Sequence, residues 1–173
     1  TSAYKIFEAI NNFNETSEVR YVGGCIRKII KKEQVDDIDL ATNLIPSEVC
    51  DALKKNNINF YETGIDHGTI TAIIGDQKYE ITTLRKDVST DGRHAKVEFS
   101  LDWKDDSNRR DFSIHAIYSD KDGNLFDPHY GKKDLESGTV KFIGNPEERI
   151  QEDYLRILRY LRFFLNYSNN KHE

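Results

Sequence analysis

Two aspartates, Asp37 and Asp39, flank one isoleucine in the run Asp37-Ile38-Asp39-Leu40-Ala41, which follows the glycine pair Gly23-Gly24. If that run is a strand, residues two apart project from the same face, so both carboxylates aim at one point while Ile38 enters the core. Neighbouring carboxylates repel each other, and a divalent cation relieves the repulsion. Mg²⁺ held by one or two carboxylates together with substrate phosphates is the usual arrangement where triphosphates react, and two such ions would sit about 3.5–4 Å apart. Glycines between a strand and a helix let backbone N–H groups approach phosphates. A lone Asp-x-Asp is far more often a turn with two solvated aspartates; the glycine pair upstream favours the metal reading. Glu80, in Tyr79-Glu80-Ile81-Thr82, is a candidate third acidic ligand on a neighbouring strand, or else an outward-facing strand glutamate.

Arg109-Arg110-Asp111 combines guanidinium forks, which suit phosphate, with a carboxylate able to accept from a ribose hydroxyl. The same run also reads as an exposed basic turn with a local ion pair. Asp153 and Arg156 are three apart in a predicted helix and so are surface neighbours. They form either a minor intrahelical pair or a base-reading pair. A carboxylate accepts from the exocyclic amine of C or A, and a guanidinium donates to the adjacent ring acceptor. U and G offer a carbonyl and a ring N–H there, which leaves polar groups unsatisfied. Arg149, Arg156, Arg159 and Arg162 recur at spacings that gather positive charge on one side of that helix.

These side chains need elements to carry them. Apolar Ile6, Phe7, Ile10 and Phe13 predict a first helix from Tyr4 to Phe13. Arg20-Tyr-Val is a short strand stopped by Gly23-Gly24, with a helix over residues 25–30, the Asp37 strand, and a further helix from Pro46. Thr69-Ile-Thr-Ala-Ile-Ile and Tyr79-Glu-Ile-Thr-Thr-Leu around Gly75-Asp76 predict a hairpin. The polar stretch from Arg85 through Asp91-Gly92-Arg93-His94 reads as a long loop. Residues 114–118 and 125–126 read as strands, and from Glu147 the chain reads as a helix with an apolar stripe of Tyr154, Leu155, Leu158, Leu161 and Leu165.

The 173 residues suffice for one or two domains with a buried core and no disulfide requirement. No apolar run reaches spanning length and no secretory signal opens the sequence, so no membrane partner is expected. Cys25 and Cys50 lack metal-ligand spacing and read as buried thiols. A net charge of −5 disfavours a general nucleic-acid binder, so any polyanion must be met by local clusters of arginine.

In order along the chain stand Gly23-Gly-Cys-Ile-Arg27, Asp37-Ile-Asp-Leu-Ala-Thr42, His67-Gly-Thr-Ile-Thr71, Glu80-Ile-Thr-Thr-Leu-Arg85, Asp91-Gly-Arg-His94, Arg109-Arg-Asp-Phe112, Asp127-Pro-His-Tyr-Gly131 and Glu152-Asp-Tyr-Leu-Arg156. The ordered set resembles the class II tRNA nucleotidyltransferases (CCA-adding enzymes) and the bacterial poly(A) polymerases, within the DNA polymerase β superfamily. The resemblance implies an α+β head, with a mixed, mainly antiparallel sheet flanked by helices over residues 1–140, followed by the start of a helical neck over 141–173. It implies addition of CMP and AMP from CTP and ATP to the 3′ end of tRNA, with Mg²⁺ on Asp37 and Asp39. Gly23, Gly24 and Arg27 would hold the triphosphate, supported by Arg159 and Arg162. Arg110 with Asp111 would select ribose, and Asp153 with Arg156 the base. Asp91, Gly92, Arg93 and His94 would form the element that switches from C to A. The family usually has Asp where Lys28 stands and Asn where His115 stands. Its members continue into tRNA-gripping helical regions, which are expected to be absent from this chain. The implied compartment is the cytoplasm, or alternatively the mitochondrion. A poly(A) polymerase, a CC- or A-adding enzyme, and a silent RNA- or nucleotide-binding fragment stand as alternatives.

Overall fold

The computed structural model describes residues 2–90 and 95–168, with the side chains of 89, 90 and 95–97 left aside. Helix α1 (Ala3–Asn11) buries Ala3, Ile6, Phe7, Ala9 and Ile10 along one face. Strand β1 (Val19–Val22) leads through Gly23 into α2 (Gly24–Ile30). Strand β2 (Ile38–Thr42) begins one residue after Asp37. Helix α3 (Pro46–Lys55) opens with Pro46, whose missing N–H costs nothing at that position, and the Glu48 carboxylate accepts from the Ile45 N–H at 3.0 Å. Strands β3 (Asn59–Gly64), β4 (Thr69–Ile74) and β5 (Gln77–Thr83) follow, the last two turning at Gly75 with φ +60°.

Helix α4 is Trp103–Asn108, and a single 3₁₀ turn at Ser113–His115 precedes β8 (Tyr118–Ser119). Strand β9 (Leu125–Phe126), α5 (Gly131–Ser137), α6 (Pro146–Glu152) and α7 (Leu155–Tyr167) complete the order. The main sheet runs β3-β4-β5-β2-β1-β8-β9, antiparallel at every pairing except the parallel β2–β5. The expected α+β architecture is therefore the observed one. Leu40, Ile70, Ala72 and Ile81 turn one sheet face towards α1 and α3, and that layer is the main core. A second cluster joins Phe112, Ile114 and Leu135 to Val140 and Phe163, so α7 packs against the segment that follows Asp111.

Two local expectations are corrected, and the predicted stripe of α7 is located. Strands β6 (Arg85–Thr90) and β7 (Ala95–Phe99) pair antiparallel where a loop was expected. The polar side chains hid the ladder, which Arg85 anchors at one end by donating its N–H to Asp106 and its guanidinium to the His67 carbonyl. Residues 114–118 are mostly not strand, because Gly131 presses on this segment so closely that a Cβ there would sit 2.1 Å from the Ser113 carbonyl oxygen. The Ser113 hydroxyl is tied to Asp134 at 2.6 Å, which holds the tight turn. Finally, the apolar stripe of α7 faces outward: Leu158 is 64% exposed and Leu165 81%. The helix buries Arg156 and Phe163 instead.

Candidate active site

Gly23 has φ +71° and ψ −127°, a conformation open to glycine alone in practice, and it directs the chain from β1 straight into α2. Arg27, one turn along, lays its guanidinium over the rings of Phe163 (5.0 Å) and Tyr167 (4.9 Å). That contact fixes its direction without neutralising its charge.

Parallel pairing of β2 with β5 sets Asp39 beside Glu80, and antiparallel pairing of β5 with β4 sets Glu80 beside Thr71. Asp37, Asp39, Glu80, Thr71 and Lys78 line one cavity of about 380 Å³. The structure thus brings Asp37, Asp39 and Glu80 together. Burial, then the charge of Glu80, and then that of Asp37 raise the Asp39 carboxyl above the ordinary range, with Arg110 acting in the opposite sense.

Asp39 also borders a second, larger cleft of about 460 Å³, lined by Gly23, Gly24, Arg27, Asp87, Arg109, Arg110, Asp111, His115, Arg156 and Arg159. Five arginines face three aspartates there, so the chain's overall negative charge is locally reversed and the cleft suits a polyanion. Its rigidity comes from a residue that the sequence did not single out. Asp106, 1% exposed, accepts from Arg109 Nε (3.2 Å), Arg110 Nη2 (3.0 Å), the Tyr118 hydroxyl (2.6 Å) and the Arg85 N–H (3.2 Å). Burial alone would raise its pKa; Arg110 and Arg109 overcome that and hold it at about 2. The i,i+4 spacing from Asp106 to Arg110 was the available signal, but it reads in sequence as an ordinary helix-surface pair.

Asp111 is gripped by two arginines of α7, with Arg156 Nε at 2.7 Å and Arg159 Nε at 2.6 Å. Arg156 Nη1 also donates to Glu152 (2.7 Å) and to the Arg149 carbonyl (2.6 Å). Arg149 in turn donates to the carbonyls of Arg109 (2.6 Å) and Arg110 (3.0 Å). Asp153 and Arg156 do not share one helix as the spacing predicted. Asp153 closes α6, its Oδ1 accepts from the Leu155 N–H (3.0 Å), and its Oδ2 accepts from Arg159 (2.7 Å). A carboxylate that caps the backbone two residues on restarts the helix in a new direction. Arg162 is not among the residues lining the cleft, and its guanidinium lies over Phe163 at 4.6 Å. Asp91, Gly92, Arg93 and His94 lie outside the described residues.

His115 lines the cleft with its ring 4.3 Å from that of Phe163, and its buried Nε2 makes no hydrogen bond to the described residues. Burial first, and then the charge of Arg27, push its pKa down to about 3, so the ring is neutral at pH 7.

Among the described residues no group of three or more His, Cys, Asp or Glu side chains is arranged to hold a metal ion unaided. The mutual repulsion at Asp39 nevertheless suits a cation whose remaining ligands come from substrate phosphates. No helix among these residues is long and apolar enough to cross a membrane.

Residues 19–141 match the family described as the poly A polymerase head domain. The mitochondrial CCA tRNA nucleotidyltransferase 1 of Homo sapiens is 46% identical over 151 residues, covering 87% of this chain and 35% of that protein. The CCA-adding enzyme of Oceanobacillus iheyensis is 41% identical over 145 residues, covering 83% of this chain and 35% of that one. Among solved structures, the Bacillus stearothermophilus CCA-adding enzyme in complex with CTP superposes with a TM-score of 0.83 at 28% identity, over 96% of this chain and 40% of that chain. A tRNA nucleotidyltransferase complexed with a primer tRNA and an incoming ATP analogue gives a TM-score of 0.71 at 27% identity, over 89% of this chain and 44% of that chain. The chain thus spans little more than a third of the two sequence relatives' length. A glycine turn feeding an arginine cleft, a carboxylate row at its edge and the match over residues 19–141 agree: the chain belongs to the poly A polymerase head-domain family, which it shares with CCA-adding relatives.

Proposed function

We propose that this chain is the catalytic part of an enzyme that transfers CMP and AMP from CTP and ATP to the 3′ end of tRNA, releasing pyrophosphate. The observation that carries the proposal is the position of Asp39, on the border between the arginine cleft and the carboxylate row. In this reading residues 1–140 are the head and 141–173 begin a neck. The two share the packing of Phe112 against Phe163.

The triphosphate lies in the cleft, with its phosphates against Gly23, Gly24 and Arg27 and its far end met by Arg159. Arg162 takes part only by turning from Phe163. Asp111 accepts from the ribose, oriented by the Arg110 segment that Asp106 locks. Asp153 and Arg156 read the base edge, which requires the nucleotide to enter the present Asp111–Arg156 and Asp153–Arg159 contacts. Asp37 and Asp39, with Glu80 beside them, hold the divalent ion, which we take to be Mg²⁺. When bound, that ion supplies charge neutralisation for the phosphates and activation of the attacking hydroxyl. The 3′-hydroxyl attacks the α-phosphorus in line, so one P–O bond forms as the bond to pyrophosphate breaks. Asp91, Gly92, Arg93 and His94 are assigned to the switch from C to A, as the resemblance implies. The compartment is the cytoplasm, or the mitochondrion that the human relative's name specifies.

A tRNA transcript lacking its terminal CCA, α-labelled CTP and ATP, and Mg²⁺ test the proposal. Labelled tRNA extended by C, C and A is expected, with none from Asp39→Ala. Retained wild-type turnover in that variant overturns it. The family's poly A polymerase description supports a second reading, which a run of A residues in the sequenced product would establish.

A further inference from the structure

The sheet has a second face that α1 and α3 do not cover. Register aligns Tyr61, Thr71, Glu80 and Asp39 across β3, β4, β5 and β2, and the adjacent row holds Asn59, Ile73 and Lys78. Partners on neighbouring strands project to the same side. The alternate rows, such as Phe60, Ala72, Tyr79 and Ile38, belong to the core layer. On the open side Tyr61 is 58% exposed, Lys78 and Glu80 are exposed beside it, and the small side chain of Thr71 is buried between them as the floor of the row. The cavity there shares Asp39 with the arginine cleft and is otherwise lined differently.

In-line displacement requires the attacking oxygen and the leaving pyrophosphate to lie on opposite sides of the α-phosphorus. If the arginine cleft takes the pyrophosphate end, the attacker must reach Asp39 from this open sheet face. We propose that the single-stranded 3′ terminus of the acceptor RNA lies along the face, with its terminal hydroxyl at Asp39, a backbone phosphate at Lys78 and an upstream base stacked on Tyr61. Strands are about 4.8 Å apart, so Tyr61 stands some 14 Å from Asp39, which makes the stacked base one that precedes the terminal nucleotide. Stacking on an aromatic ring accepts any base, so an acceptor of variable sequence is tolerated. The inference rests on the polymerase reading of the cleft.

The test uses an acceptor-stem minihelix with a single-stranded 3′ end. Tyr61→Ala raises KM for the minihelix about fivefold or more while KM for CTP is unchanged, and Tyr61→Phe restores it. Lys78→Ala makes minihelix binding less salt-dependent, by about 0.7 in the logarithmic slope. A minihelix carrying 4-thiouridine upstream of its end cross-links to the peptide that contains Tyr61. A wild-type KM in Tyr61→Ala or a wild-type salt slope in Lys78→Ala overturns the inference, as does cross-linking elsewhere. Concentration-dependent dimerisation that Tyr61→Ala abolishes overturns it too, because a second copy of the chain then occupies the face. Cross-linking at Tyr61 without nucleotide incorporation sustains the RNA surface and removes the polymerase reading instead.

Discussion

Arg156 and Asp111, 45 residues apart in sequence, meet at 2.7 Å, and with Arg159 on the other carboxylate oxygen they close the arginine cleft onto one acidic group. The groups proposed to read base and sugar therefore satisfy one another before any nucleotide enters. Binding exchanges these contacts for others, so net affinity reflects a difference and discrimination falls on the nucleotide that replaces them best.

Asp153 is the cleaner test of that discrimination, because Arg156 is also a packing residue. Asp153→Ala is expected to reduce the preference for CTP and ATP over UTP and GTP by about 10²-fold in kcat/KM, with stability lowered by about 1 kcal/mol through loss of the cap on the Leu155 N–H. Competition assays with all four nucleotides measure it, and unchanged rejection of UTP and GTP removes the base-reading role.

Asp39→Asn is expected to lower nucleotide addition about 10³-fold. Its folded-state pKa is raised, so ionisation of Asp39 opposes folding at neutral pH, and that cost disappears as the pH falls through the carboxylate range. The metal-free variant should therefore melt above the wild type at pH 7, converging with it in acid. Mg²⁺ should stabilise the wild type alone.

Asp106→Ala leaves Arg109, Arg110 and Tyr118 without their shared acceptor and should cost about 3–5 kcal/mol in urea denaturation. The depressed pKa of about 2 sets the sign: the stabilisation is complete above the ordinary carboxylate pKa and fades as pH falls towards 2. Asp106→Asn should remove that acid-limb dependence.

His115 loses stability in acid for a different reason: folding disfavours its charged form instead of favouring it. Its folded pKa of about 3 lies below the ordinary imidazole value, so the unfolded chain takes up a proton that the folded chain refuses. Stability should fall with decreasing pH below about 6.5, by up to about 1.4 kcal/mol per pH unit, and His115→Asn should flatten that slope. Urea titrations between pH 7 and pH 4 measure the difference.

Period-two alternation made Asp39 and Glu80 readable, because a strand fixes its side-chain direction from local sequence alone, and Asp37 joins them from the residue just before β2. The arginine lock was not readable. Asp106 sits in the polar run Lys104–Asp111, and only tertiary packing shows that it is buried. The α6–α7 break was hidden for a related reason: helical periodicity continues through it, while one aspartate side chain redirects the backbone. The hairpin of β6 and β7 escaped notice because its pairing and its Arg85 anchors are polar, and polar contacts leave no apolar signature. The exposed leucines of α7 show the converse, since periodicity reports amphipathicity and not what faces the apolar side.

The parallel pairing of β2 with β5 has a consequence for biogenesis. Asp39 and Glu80 become neighbours only after α3, β3, β4 and most of β5 have been synthesised, and the Arg156–Asp111 contact must wait for about 75 residues more. A nascent chain emerging from the ribosome therefore gains its carboxylate row well before the arginines that would make it selective.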